Sequence, residues 1–100
     1  MPNFISLATF THDGEVHVVV ETPRNSRAKF AYDPSLKAFT LRKTLLTGLT
    51  YPHDWGFVPS TKADDGDPID IMLIHEAATF PGLVVTSRVI GILQIVPGAD

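Results

Sequence analysis

The chain has 100 residues, 44% hydrophobic and 19% charged, with a formal net charge of −3 and no cysteine. That length predicts one domain over residues 1–100 with a single thin core. The lack of a basic block argues against a nucleic-acid backbone as the main ligand, and the lack of cysteine excludes disulfides and thiolate metal sites.

The opening "MPNFISLATF" has no basic start and no long apolar run, so it does not read as a signal peptide. "VHVVVE" at 16–21 follows the turn-like "HDGE" and is rich in β-branched residues, which predicts a strand. The polar loop "TPRNSR" leads to a second short strand over 29–32. "DPS" at 33–35 is a turn signal, and "FTLRK" at 39–43 completes a predicted hairpin. Residues 44–51 carry no clear period. "WGFVP" at 55–59 is a short extended piece, kept from helix by Gly56 and Pro59. Residues 69–75 are nearly continuously apolar, which predicts a strand buried on both faces. "FPG" at 80–82 is another turn. Residues 83–96 predict a long strand bulged or bent at Gly91. Thr86, Ser87, Arg88, Gly91 and Gln94 interrupt that stretch, leaving it too short and too polar to span a bilayer.

No apolar pattern at spacings of three and four persists for three turns, so no helix is expected. Short strands separated by turns predict a mainly β fold, a small barrel or sandwich. The expected setting is cytoplasmic, with no membrane and no nucleic-acid partner.

The chemistry concentrates in "DDGDPIDIMLI", residues 64–74, where Asp64, Asp65, Asp67 and Asp70 precede an apolar run. Carboxylates this close repel one another and raise one another's pKa. A solvated loop tolerates that, and a hard divalent cation exploits it, since Mg²⁺ prefers carboxylate oxygens and keeps several waters. Gly66 permits a tight turn between Asp65 and Asp67. Pro68 fixes φ on the approach to the strand, and Asp70 sits at the strand mouth. Asp65, Asp67 and Asp70 are thus expected to point at one place. A plain acidic turn between strands is the alternative. A calcium EF-hand fits poorly: Glu76 is twelfth from Asp65, but Ile69 takes the fifth position, Asp70 takes the glycine position, and a strand follows where a helix should.

"DGDPID", preceded by "YPHDWGFVPST", resembles the signature region of the soluble family I inorganic pyrophosphatases. Upstream, "VVVETPRNSRAKF" is similar to that family's strand ending Glu-x-Pro, its loop and its lysine-bearing strand. Downstream, "VIGILQI" is similar to its Val-Gly-Val-Leu strand. The resemblance runs in order from about Val16 to Ile95. It implies an OB-like five-stranded β-barrel with the active site in its mouth, and Mg²⁺-dependent hydrolysis of pyrophosphate to two phosphates. By the same resemblance Asp65 and Asp70 are metal ligands, and Asp67 is both a ligand and the group that takes the proton from the attacking water. Glu21 reaches metal through water. Lys29 and Lys43 bind phosphate, and Tyr51 is a tyrosine at the edge of the site with a catalytic role alongside Lys29. A homo-oligomer is also implied.

Read without the family, Lys29 and Lys43 are ordinary solvated strand positions, Tyr51 is a core aromatic with its hydroxyl at the rim, and Trp55 is core filling. Arg24, Arg27 and Arg42 lie near the phosphate candidates and read as surface charge. The four histidines show no paired metal spacing, and His53 and His75 read as incidental.

The sequence departs from the family at three site positions. Ala31 stands where a glutamate is usual. Lys43 replaces an arginine and loses its planar fork. Trp55 replaces a tyrosine and loses a hydroxyl. Family members carry further aspartates, a lysine and closing segments beyond the Gly-Val-Leu strand. Pro97 stands where the first of those aspartates is expected, and Asp100 is the remaining nearby carboxylate. The resemblance therefore implies a barrel incomplete at its C-terminal end, either a truncated portion or a short homologue, with open edges that favour self-association. The runner-up function is an impaired or non-catalytic barrel that binds divalent metal or phosphate. An OB-type nucleic-acid binder is weaker, because the acidic mouth repels a phosphate backbone.

Overall fold

The computed structural model describes residues 3–92. A single 3₁₀ turn, Phe4–Ser6, precedes six strands: β1 (Val16–Thr22), β2 (Ala28–Asp33), β3 (Ala38–Thr44), β4 (Asp54–Val58), β5 (Ile69–Leu73) and β6 (Val84–Ser87). β1 organises the rest. Its valines are stiff at χ1 and suit the pleated sheet. It pairs antiparallel with β4, Val19 opposite Phe57, and with β6, Val18 opposite Val85. β5 lies outside β4, giving the order β5-β4-β1-β6, and β2 and β3 form a separate antiparallel hairpin.

Because side chains alternate along a strand, β1 feeds two cores. Val16, Val18 and Val20 pack with Val58 and Leu73 on one face. Val19 packs with Tyr32 and Phe57 on the other. The hairpin covers this second face through aromatic contacts. The rings of Tyr32 and Phe57 lie 6.0 Å apart and those of Tyr32 and Phe39 5.1 Å apart. Phe4 of the 3₁₀ turn closes the cluster edge-on against Tyr32 at 5.4 Å and Phe39 at 5.2 Å.

No backbone ladder joins the hairpin to the larger sheet among the described residues. Two side chains at the end of β1 do so instead. Thr22 Oγ1 accepts from the Phe30 N–H at 3.1 Å and donates to the Phe30 carbonyl at 2.9 Å. Glu21 Oε2 accepts from the Tyr32 N–H at 2.8 Å. Opposite them, β1 slips register against β4 between Val20 and Thr22. Such an irregularity bends a strand and re-aims its side chains.

The mainly β class and the hairpin are as expected. Asp33 Oδ1 caps the hairpin turn, accepting from the Ser35 N–H and hydroxyl, and Lys37 completes the turn at φ +54°. The closed five-stranded barrel is present only in part, because the two sheets do not close on each other among the described residues. The 69–75 strand ends at Leu73 and is not buried on both faces: Ile69 is 46% and Ile74 64% exposed. β5 is an edge strand, and the strand with two buried faces is β1. The expected 83–96 strand is confined to β6 among the described residues, and Gly91 lies outside any strand. Residues 93–96, with Pro97 and Asp100, lie outside the described residues.

Gly56 is required where β4 crosses β1. A Cβ there would sit 2.1 Å from the Val19 carbonyl oxygen, against backbone that has no room to move. Gly56→Ala is expected to lower the free energy of unfolding by roughly 3 kcal/mol, the upper range for overpacking. A urea titration unchanged from wild type would contradict this packing.

Candidate functional site

A cavity of about 730 Å³ lies between the hairpin and the second face of the sheet. Trp55, Gly56 and Phe57 of β4 line its floor, with Glu21 and Thr22 from the end of β1. Asp67, Pro68 and Asp70 line one side, and Lys29, Ala31, Arg42 and Lys43 of the hairpin line the other. Tyr51 stands at its edge. The register explains the carboxylate side. Phe57 pairs with both Val19 and Asp70, so all three project to the same face. Glu21 reaches the cavity at the irregularity that ends β1.

Of the expected metal ligands, Asp67 and Asp70 line the cavity and Asp65 does not. The expectation that all three carboxylates share one point is corrected here. Among the described residues no three acidic or histidine side chains meet in a metal-holding group. The reason is local. Asp65 Oδ1 accepts from the Asp67 N–H at 3.0 Å, an Asx turn that spends one of its oxygens on the loop. Gly66 at φ +89°, and the Ala63 N–H bond to the Asp67 carbonyl at 2.7 Å, lock that loop.

The two carboxyls that face each other hold their protons more tightly than usual. Glu21 is raised by burial, against the Tyr32 N–H, and then by the negative charge of Asp70, while Lys29 and Arg42 oppose the rise. Asp70 is raised by partial burial and then by Asp65, with Lys29 opposing and Asp67 adding a little. A cation between Glu21 and Asp70 would relieve both. The donors are hard oxygens, and Glu21 Oε1 makes no hydrogen bond among the described residues. Three lining carboxylates with room for water suit a hydrated hard divalent cation better than a fully dehydrated one.

The basic side is as open. Lys29, Arg42 and Lys43 are exposed, and the single ion pair among the described residues lies elsewhere, between His75 and Asp54. Lys29 and Lys43 face each other across the hairpin. Both line the cavity. Trp55 is half-buried at the cavity floor.

His75 and Arg24, read as incidental and as surface charge, belong to a hydrogen-bond network around the buried Asp54. Asp54 is 2% exposed. Its Oδ1 accepts from the Arg24 N–H at 2.5 Å, and its Oδ2 is hydrogen-bonded to His75 Nε2. His75 Nδ1 accepts from the Ala77 N–H at 3.2 Å, which leaves the proton on Nε2, pointing at Asp54. The Arg24 guanidinium donates to the His75 and Glu76 carbonyls at 2.8 and 2.9 Å. The loop after β1 is also tied to Tyr51 by backbone bonds from the Asn25 N–H and to the Ser26 carbonyl. This network fixes Tyr51 and the start of β4 relative to Glu21. His53 and Arg27 do not line the cavity.

A family model described as inorganic pyrophosphatase matches residues 18–99. An inorganic pyrophosphatase of Synechocystis is 44% identical over 87 residues, covering 87% of this chain and 52% of the relative. That of Thermus thermophilus is 47% identical over 78 residues, covering 78% and 45%. The crystal structure of inorganic pyrophosphatase from Thermus thermophilus superposes with a TM-score of 0.79 at 42% identity, over 85% of this chain and 49% of that one. The Neisseria gonorrhoeae crystal structure gives 0.75 at 33% identity, over 84% and 49%. The chain spans about half the length of the curated relatives it matches.

Removing the buried Asp54 carboxylate leaves a half-buried N–H and a half-buried imidazole without their acceptor. Asp54→Ala is expected to cost about 2–3 kcal/mol of stability, read from denaturant unfolding, whereas a cost under about 0.5 kcal/mol would contradict the network. The raised Asp70 carboxyl sets a pH signature. The folded state binds its proton more tightly than the unfolded state, so stability falls as pH rises from the ordinary carboxylate value through the raised one. Without metal, Asp70→Asn should raise the urea midpoint at pH 7 and leave it unchanged at pH 3. Equal effects at both values would contradict the assignment.

Proposed function

The chain belongs to the inorganic pyrophosphatase family, and from that premise we propose that the protein hydrolyses inorganic pyrophosphate to two phosphates with Mg²⁺ as its cofactor. One observation carries the reading: a single cavity is lined by exposed cations on the hairpin and by carboxylates on the sheet and its acidic loop. A bare acidic pocket repels pyrophosphate and a bare basic one attracts no metal. A cavity with both accommodates the anion and its cation together.

The chain's own residues divide the work. Lys29 and Lys43 bind the phosphate oxygens and neutralise charge as the leaving phosphate forms. Tyr51 contributes its hydroxyl at the cavity edge as a hydrogen-bond donor to phosphate. Asp67 accepts the proton of the water whose oxygen attacks phosphorus, and the bridging P–O bond breaks to release the second phosphate. Trp55 and Phe57 give these charged groups an apolar floor that limits water access. Asp67 and Asp70, with Glu21 through water, are the residues to hold the cofactor, and Asp65 adds negative charge beside Asp70. Bound there, Mg²⁺ would offset substrate charge and make the water a better nucleophile.

A second reading, an impaired site that binds metal or phosphate without turnover, is favoured by Ala31. It lines the cavity with a methyl group on the same strand as Lys29. The proposal also takes residues 1–100 as one domain of a cytoplasmic homo-oligomer. Exposed Leu46 (77%), Leu49 (53%) and Ile74 (64%) support association. No helix among the described residues is long and apolar enough to cross a membrane.

Phosphate release from pyrophosphate in Mg²⁺ is expected to fall at least about 100-fold in Asp67→Asn, the usual scale for a lost general base, while pyrophosphate binding persists. Equal rates would reject Asp67 as proton acceptor. A wild-type chain that binds pyrophosphate and releases no phosphate would favour the second reading.

A further inference from the structure

β3 carries one more residue than its partner needs. Lys29 pairs with Lys43, and the next residue of β2, Phe30, pairs with Leu41. Arg42 is left without a partner at this register shift. At this register shift the alternation of an unbroken strand is lost, so Arg42 is not bound to face away from Lys43 and the cavity. Both line it. A bulge that re-aims a side chain beside a site is a recurrent structural device.

Arg42 has no direct side-chain partner among the described residues. Among the described residues its guanidinium makes no side-chain hydrogen bond, and the one ion pair lies between His75 and Asp54. The nearest acid on its own hairpin, Asp33, is already engaged in capping the turn through Ser35. Its positive charge is felt by Glu21 in the cavity and also by Asp33 at the hairpin turn. Lys43, its neighbour, offers a compact point charge. Arg42 offers the planar fork that grips two oxygens of one phosphate.

We propose that Arg42 is a third anion-binding side chain of this site, brought to the cavity by the bulge in β3, where it grips one phosphate group through two oxygens. The inference rests on the cavity being the pyrophosphate site proposed above. It assigns the two-pronged contact to Arg42 and leaves Lys43 as a charge that neutralises without orienting.

The test uses the full chain and inorganic phosphate in the presence of Mg²⁺, with binding read by calorimetry and pyrophosphate turnover measured in parallel. Three variants are compared: Arg42→Gln, Arg42→Lys and Arg27→Gln. Arg27 is an exposed arginine outside the cavity lining and reports loss of general positive charge. Phosphate affinity should fall about 10-fold in Arg42→Gln, the scale of one lost charge-assisted pair. It should fall about 3-fold in Arg42→Lys, which keeps the charge and loses the fork. Arg27→Gln should match wild type, and all three should keep the wild-type circular dichroism spectrum. Where turnover is measurable, the Arg42→Gln loss should appear mainly in KM. Equal affinity in wild type and Arg42→Gln would overturn the assignment. So would equal losses in Arg42→Gln and Arg27→Gln, which would reduce Arg42 to background charge. Phosphate binding without pyrophosphate turnover in wild type would sink the catalytic reading alone, and the affinity comparison would still decide Arg42.

Discussion

Two side chains at the end of β1 hold the halves of this molecule together. Thr22, 2% exposed, bonds to both backbone groups of Phe30, and Glu21 accepts from the Tyr32 N–H. They do the work that a ladder of backbone bonds does elsewhere in the fold. A ladder would draw β2 flush against β1 and leave no cavity. A side-chain joint, with the Tyr32–Phe39–Phe57 aromatic cluster as its hinge plate, holds the hairpin at a distance from the sheet. The site is the space that this joint leaves open.

The joint also explains how opposite charges coexist there. The hairpin bears Lys29, Arg42 and Lys43, and the sheet with its acidic loop bears Glu21, Asp67 and Asp70. Among the described residues no ion pair joins the two groups, and the side-chain joint holds their elements apart. Glu21 belongs to both systems. One of its oxygens secures the hairpin and the other is free toward the cavity, so structural and functional duties meet in one residue. Burial and the neighbouring Asp70 make its charge costly, which is the condition under which a bound cation contributes most.

Much of the fold was legible in the sequence because local chemistry dictated it. The run of valines in β1 and the Asp33-Pro34-Ser35 turn between β2 and β3 are short-range signals. β5 was misread because an apolar run looks the same at a sheet edge as in a sheet centre. Only the pairing order tells the two apart. For the site, the acidic loop stood out, but Asp65 turning back onto the Asp67 N–H did not change the expectation, although an aspartate two residues before that N–H is the usual Asx signal. Asp54 and His75 are 21 residues apart, and nothing local in either marks the other.

The central claim is that one cavity receives a divalent cation on its carboxylate side and a phosphate on its cationic side. The most direct measurement is a crystal structure grown with Mn²⁺ and phosphate, with the metal located by its anomalous signal. The account predicts an anomalous peak between Glu21 and the Asp67–Asp70 loop, with phosphate between it and the hairpin cations. A metal held only outside that cavity, or a phosphate that avoids Lys29, Arg42 and Lys43, would contradict it.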